Sequence, residues 1–141
     1  MKYLILISVF SLLGGFSPTE TTDEHAAIAQ CLNYYLEGGT NNDFETLAKA
    51  FHTDATMQFV TDEGHRSVNA LDFFEKGIKP GPPQKRKTRI VSINVEGNAA
   101  QAKLQIEYDT FYFHDYMQLL KIGDEWKIIC KSFYRQYKEM E

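Results

Sequence analysis

The side chains in this sequence that could do chemistry in a pocket are Asp115, Tyr35, His52 and Arg89. Asp115 carries the most information. It lies in residues 110–136, which read as two long strands joined by a tight turn at Gly123-Asp124. Two-residue turns of this kind match the twist of paired strands. The turn sets the pairing: Lys121 opposite Trp126, Leu119 opposite Ile128, Met117 opposite Cys130, Asp115 opposite Ser132 and Phe113 opposite Tyr134. Side chains alternate faces along a strand. One face then carries Phe113, Met117, Leu119, Trp126, Ile128 and Cys130, with Asp115 among them. The other carries His114, Tyr116, Gln118, Lys127, Lys131 and Phe133. The first face is the core side, and a carboxylate there needs a partner or a shifted pKa. A carboxyl so placed can transfer a proton or anchor a ligand.

The other candidates follow from their places along the chain. Tyr35 can donate a hydrogen bond into a cavity or serve as a core aromatic with its hydroxyl satisfied. His52 follows a helix and can reach a cavity mouth or pack at the helix end. Phe113 and Trp126 are core aromatics that can double as a ligand platform, and Met57, Phe59 and Met117 complete the expected lining. His65 and His114 fall in a turn and on the outer sheet face. The sequence has no nucleophile elbow, no glycine-rich phosphate loop and no metal-binding helix motif. It has no CxxC, so neither a metal nor a cofactor is called for. Cys31 and Cys130 are both expected to point inward as small apolar residues, and a mid-strand thiol without a cationic neighbour stays protonated. Whether the two are bridged is left open by the sequence.

These residues must be positioned by the elements around them. Residues 18–23 read as a polar lead, with Thr21 and Glu24 at capping-box spacing. Ile28, Cys31, Leu32, Tyr35 and Leu36 then form a helical stripe that Gly38-Gly39 ends. Asn42 with Glu45 caps a second, short helix bearing Phe44, Leu47, Ala48 and Phe51. A strand over residues 55–60, a turn, and a short strand over residues 65–68 lead to a third helix capped by Asn69. Residues 80–83 stop that helix with prolines. Strands over residues 85–96 and 99–108 meet at Gly97-Asn98. That turn sets Val95 opposite Ala100, Ile93 opposite Ala102, Val91 opposite Leu104 and Arg89 opposite Ile106, which brings Arg89 to the rim of the core face. Helices followed by long antiparallel strands make an α+β domain. A strongly curved antiparallel sheet with the N-terminal helices on its concave face forms a cone with a cavity at its open end. One domain is expected, over residues 24–137, with a tail at 138–141.

Length and composition agree with that reading. A chain of 141 residues with 43% apolar content supports one core. The net charge of −4 argues against a nucleic-acid partner, which needs a basic footprint. The cluster Lys85-Arg86-Lys87-Arg89 is the local exception and reads as an exposed strand end. Residues 1–17, with Lys2, an apolar run over residues 3–13 and small residues after it, have the pattern of an export signal too short to span a bilayer. A periplasmic or secreted protein is expected, with no membrane partner once the signal is removed.

The run YYLEGGTNNDFETLAKAFHTDATM is similar to the start of nuclear transport factor two-like domains, especially their SnoaL-like and lumazine-binding branches. Tyr35, Asp43-Phe44, Ala50-Phe51-His52 and Asp54-Ala55 carry the likeness. The closing LLKIGDEWKIICKSF resembles the last hairpin of the same family, through Asp115-Tyr116, Leu120-Lys121, Trp126 and Lys131. The resemblance spans residues 24–135 and implies the cone fold. It implies no single activity, since the family includes isomerases, dehydratases, hydrolases, cyclases and binding proteins. In its steroid-isomerase branch, Tyr35 falls where an oxyanion-donating tyrosine stands, Asp115 falls near a second acidic residue, and Phe59 falls where a general-base aspartate stands. Phenylalanine cannot accept a proton, so that branch's chemistry is expected to be absent.

The function expected is binding of a small, partly apolar molecule in the cone. The alternative is a cofactor-free enzyme, isomerase, dehydratase or cyclase-like, that uses Asp115 as acid or base on a small cyclic molecule with help from Tyr35 or His52. A homodimer is expected through the outer sheet face, where Tyr116, Ile129 and Phe133 make a surface too apolar for solvent.

Overall fold

The computed structural model describes residues 18–139. The export signal expected over residues 1–17 lies outside them. The elements run α1 (Pro18–Thr40), α2 (Phe44–Ala48), β1 (Phe51–Thr61), β2 (Gly64–Asn69), α3 (Ala70–Gly77), β3 (Lys87–Glu96), β4 (Ala99–Glu107), β5 (Phe111–Ile122) and β6 (Glu125–Tyr137). The six strands form one open sheet in the order β2-β1-β6-β5-β4-β3. Every neighbouring pair is antiparallel except β1 and β6, which run parallel. The antiparallel sheet expected from the hairpins forms, and the pairing of β1 with β6 makes it a mixed one. A parallel pair needs a long crossover, and here the crossover contains β2, α3, β3, β4 and β5.

Helix α1 begins at Pro18, so residues read as a polar lead belong to the helix. Its stripe of Ile28, Cys31, Leu32, Tyr35 and Leu36 is buried as its spacing predicts. The glycine pair does not end the helix, which continues to Thr40. Asp43, one residue later than expected, caps α2 by accepting from the Thr46 N–H at 3.0 Å. Asn69 caps α3 as its sequence position indicates, accepting from the Asp72 N–H at 3.0 Å. The core lies between α1 and the inner sheet face, where Leu104, Ile106, Met117, Leu119 and Ile128 are fully buried. Each such side chain contributes about 1.5–3 kcal/mol through burial.

The β1–β6 ladder is irregular between Phe51 and Thr56, and a bulge in each of two hairpins decides which of their side chains face inward. Both turns form where expected, and pairing follows the expected register for the first steps: Leu119 with Ile128, Ile93 with Ala102. Beyond them each ladder slips by one residue. In the β5–β6 hairpin the slip leaves Ile129 unpaired, so Met117 meets Lys131, Asp115 meets Phe133 and Phe113 meets Arg135. In the β3–β4 hairpin it leaves Val91 unpaired, so Ile90 meets Leu104 and Arg89 meets Gln105. A bulge bends its strand and turns every later side chain to the other face. Lys131, Phe133 and Arg135 therefore join the inner face. Cys130, paired with Gln118 and Thr56, and Arg89 join the outer one.

Candidate functional site

The inner end of the cone holds a buried polar cluster. Asp115 is 0% exposed and Lys131 is 4% exposed. The Lys131 ammonium donates to Asp115 Oδ1 at 2.7 Å, and the Tyr35 hydroxyl donates to Asp115 Oδ2 at 2.7 Å. Each element contributes one member: α1 brings Tyr35 on its buried stripe, β5 brings Asp115 by parity, and β6 brings Lys131 by its bulge. Lys131 also lies 4.3 Å from the Phe133 ring centre, a cation–π contact with a desolvated ammonium.

The electrostatics follow from burial. Burial pushes the Lys131 ammonium below the ordinary lysine range. The Asp115 charge and hydrogen bond oppose that shift, while the nearby Arg86 charge adds to it. Burial first, then the charge of Asp115 and its hydrogen bond, push the Tyr35 hydroxyl well above its usual range. Tyr35 therefore stays a protonated donor.

A cavity of about 300 Å³ opens in front of this cluster. Phe73, Phe74 and Ile78, from α3 and its C-terminal cap, form one wall. Tyr35, Leu47, Met57, Ile106, Tyr108, Phe113 and Phe133 complete its apolar lining. Its polar groups are Lys131, Gln84, Arg86 and Arg135. Arg86 donates to Thr40 Oγ1 at 2.9 Å, to the Leu36 carbonyl at 3.0 Å and to the Tyr108 hydroxyl at 3.0 Å. It thereby satisfies the end of α1, whose last turn has no basic residue of its own. Gly39 makes room for this: a Cβ there would stand 2.5 Å from Arg86 Nη2. Tyr108 donates onward to Gln84 Oε1 at 2.8 Å. The Arg135 guanidinium lies 5.1 Å from the Phe111 ring centre and 5.0 Å from that of Phe113.

The structure gathers some of the residues the sequence singles out and disperses others. Tyr35, Met57 and Phe113 line the cavity, and Asp115 sits directly behind Tyr35 and Lys131. Phe59 stands behind Phe133, stacked on it at 5.1 Å, and lines a wider adjoining groove. Met117 is core. Trp126 is buried away from the cavity and donates its indole N–H to Glu24. His52 accepts from the Asp54 N–H at 3.2 Å and is not in the lining, because its neighbour Phe51 takes the inward position. Arg89 is exposed on the outer face, bonded to Gln105, because of the Val91 bulge. The cation it was expected to supply comes from Arg86, a member of the cluster read as an exposed strand end. Phe133 is likewise inside, not on the outer face.

Lys131 and Arg135 are the residues that alternation alone misses. The signal that marks them is the unbroken apolar run Ile128-Ile129-Cys130, which interrupts the period of two. Both cysteines are free, and Cys31 is turned toward the Ala50 carbonyl at 3.4 Å. Among the described residues no group of His, Cys, Asp and Glu is placed to hold a metal ion, and no helix is long and apolar enough to cross a membrane.

Residues 23–134 match the family model described as "Putative lumazine-binding". The chain belongs to that family. Its fold is the one shared by the nuclear transport factor two-like superfamily. An NTF2-like protein of unknown function from Shewanella baltica is 26% identical, with a TM-score of 0.74 over 82% of this chain and 95% of that one. A second, from Methylobacillus flagellatus, is 28% identical, with a TM-score of 0.71 over 81% and 93%. A ketosteroid isomerase-like protein from Erwinia carotovora, 12% identical with a TM-score of 0.64 over 80% and 96%, shares the fold. No curated protein matches the chain.

Proposed function

We propose that this protein binds a small, partly apolar molecule in the cone. The observation that carries the reading is the cavity of about 300 Å³ itself, apolar over most of its lining and closed by the Tyr35–Asp115–Lys131 cluster. Pockets of that size with a few convergent polar groups are the usual form of small-molecule sites. The two internal methionines provide the test. Met57 lines the cavity, whereas Met117 is buried outside it. Titration with a set of small aromatic and alicyclic compounds, followed by methionine-methyl NMR, is expected to move Met57 and leave Met117 in place. A set that moves neither, or moves only outer-face resonances, overturns the reading.

A second reading, cofactor-free proton-transfer catalysis on a small cyclic molecule, is favoured by one observation. Lys131 is a desolvated amine of lowered basicity that faces the cavity and touches a carboxylate. Such a pair can pass a proton to or from a bound molecule. Incorporation of solvent deuterium into a bound compound, lost in Asp115→Asn, supports this reading. Compounds that bind and are recovered without exchange or change remove it.

The protein is further proposed to be exported, from the pattern over residues 1–17. Mass spectrometry of the native protein is expected to place its first residue between about Phe16 and Thr21. An intact Met1 on a cytoplasmic protein counts against export.

A further inference from the structure

The cavity has two unlike walls. The α3 side presents Phe73, Phe74 and Ile78. Strand β6 and the segment entering β3 present Lys131, Arg135 and Arg86. No carboxylate belongs to the lining, and Asp115, behind it, answers only the charge of Lys131. Among the described residues neither Arg86 nor Arg135 has a carboxylate partner. Arg86, half-buried, is held by neutral oxygens, and Arg135, exposed at the rim, by ring faces and the Tyr137 hydroxyl at 3.5 Å, so neither guanidinium is paired with a carboxylate. This local excess of positive charge stands in a chain of net charge −4. Guanidinium groups have planar sets of donors suited to carboxylates, and the partial burial of Arg86 beside Lys131 strengthens the attraction there.

Building on the small-molecule reading above, we infer that the molecule bound is an organic anion. It has a carboxylate directed to the Arg86–Lys131–Arg135 wall and a flat or alicyclic apolar body against Phe73, Phe74 and Ile78. The arginines select for charge, and the α3 wall selects for an apolar body.

The test is calorimetric titration of the full chain with 2-naphthoate, its neutral analogue 2-naphthylmethanol and the cation 2-naphthylmethylammonium, with the Met57 and Met117 methyl resonances followed in parallel. The acid is expected to bind about tenfold or more tighter than the alcohol, the range of a charge-assisted hydrogen bond. Its affinity is expected to fall as salt is raised. Arg135→Gln is expected to lower the acid's affinity more than the alcohol's and so to reduce that preference. Arg86→Lys, which keeps the charge but not the planar fork, is expected to weaken the acid without abolishing its preference. If the alcohol or the ammonium moves Met57 and binds as well as the acid, the anion inference falls and the pocket reading stands. If none of the three binds, both fall.

Discussion

Lys131 Nζ lies 2.7 Å from Asp115 Oδ1, and neither residue is more than 4% exposed. Desolvating two charges costs several kcal/mol, which their attraction offsets only while both are present. Lys131→Met or Asp115→Leu alone leaves an uncompensated buried charge and is expected to cost about 3–5 kcal/mol. The double replacement is expected to recover most of that loss, since a well-packed apolar pair can equal a buried ion pair. Urea denaturation of the four proteins checks the cycle. Losses that simply add would show that the two side chains do not depend on each other.

The same pair shows what was legible in the sequence. The inward parity of Asp115 was readable because β5 alternates without interruption, and the turn at Gly123, with φ of +64°, pinned its register. The position of Lys131 was not readable from alternation, because one unpaired residue, Ile129, reverses every side chain after it. The same holds for Arg89 and the bulge at Val91. Arg86 was hidden for another reason. A basic cluster at a strand entrance looks solvated until the helix end that needs its donors is brought 50 residues across the sequence to meet it. The parallel β1–β6 pairing has no local signal, since no turn joins the two strands. The end of α1 and the caps of α2 and α3, set by contacts within a few residues, were read to within one or two positions, whereas α1 starts at Pro18, ahead of the expected Thr21 cap, and Phe51, read as helical, opens β1.

Glu24 ties α1 to the closing hairpin by accepting from Lys121 and from the Trp126 indole N–H. Those two hydrogen bonds, Lys121 first, hold its carboxyl below the usual range. A carboxyl depressed in the folded state contributes stability that is present above the ordinary value of 4.5 and lost as pH falls through the lowered folded value. Trp126 is the sole tryptophan, so its emission reports this contact. The emission is expected to change as pH falls below 4.5, and Glu24→Gln is expected to flatten that response and to lower stability by roughly 1 kcal/mol at neutral pH. A tryptophan signal that is the same in both proteins across the acid range contradicts the linkage.

The outer face of the sheet exposes Tyr116 at 51% and Tyr134 at 66%, on neighbouring strands that also carry Ile129 beside a shallow depression lined by Leu120. We propose a second copy of the chain as the occupant of this face, through a symmetric interface. Tyr116→Lys with Tyr134→Glu is expected to yield a folded monomer in sedimentation velocity. Phe133 is excluded from such a design, because it belongs to the cavity wall and a charge there would damage the pocket instead. A wild-type protein that sediments as a monomer at micromolar concentration rules the dimer out.

Gly39 offers a way to move Arg86 without touching it. The absence of a side chain at Gly39 lets the guanidinium reach the Leu36 carbonyl and Thr40 at the end of α1. In Gly39→Ala the new methyl would stand 2.5 Å from Arg86 Nη2, closer than atoms tolerate, with Cζ and Nη1 next at 3.4 and 3.5 Å. The guanidinium is the far end of a flexible side chain, so it is expected to swing away while the helix backbone holds. Losing the hydrogen bonds to the helix end is expected to cost about 1–2 kcal/mol, offset in part by the helix preference of alanine over glycine. The affinity for 2-naphthoate is expected to fall several-fold, while that for 2-naphthylmethanol is expected to stay within twofold, because the change removes a charge from the lining and leaves the α3 wall intact. Thermal melting and the two titrations measure these effects separately. Equal losses for acid and alcohol would mean that the methyl fills or distorts the cavity, and unchanged binding of both would mean that Arg86 serves the helix end alone.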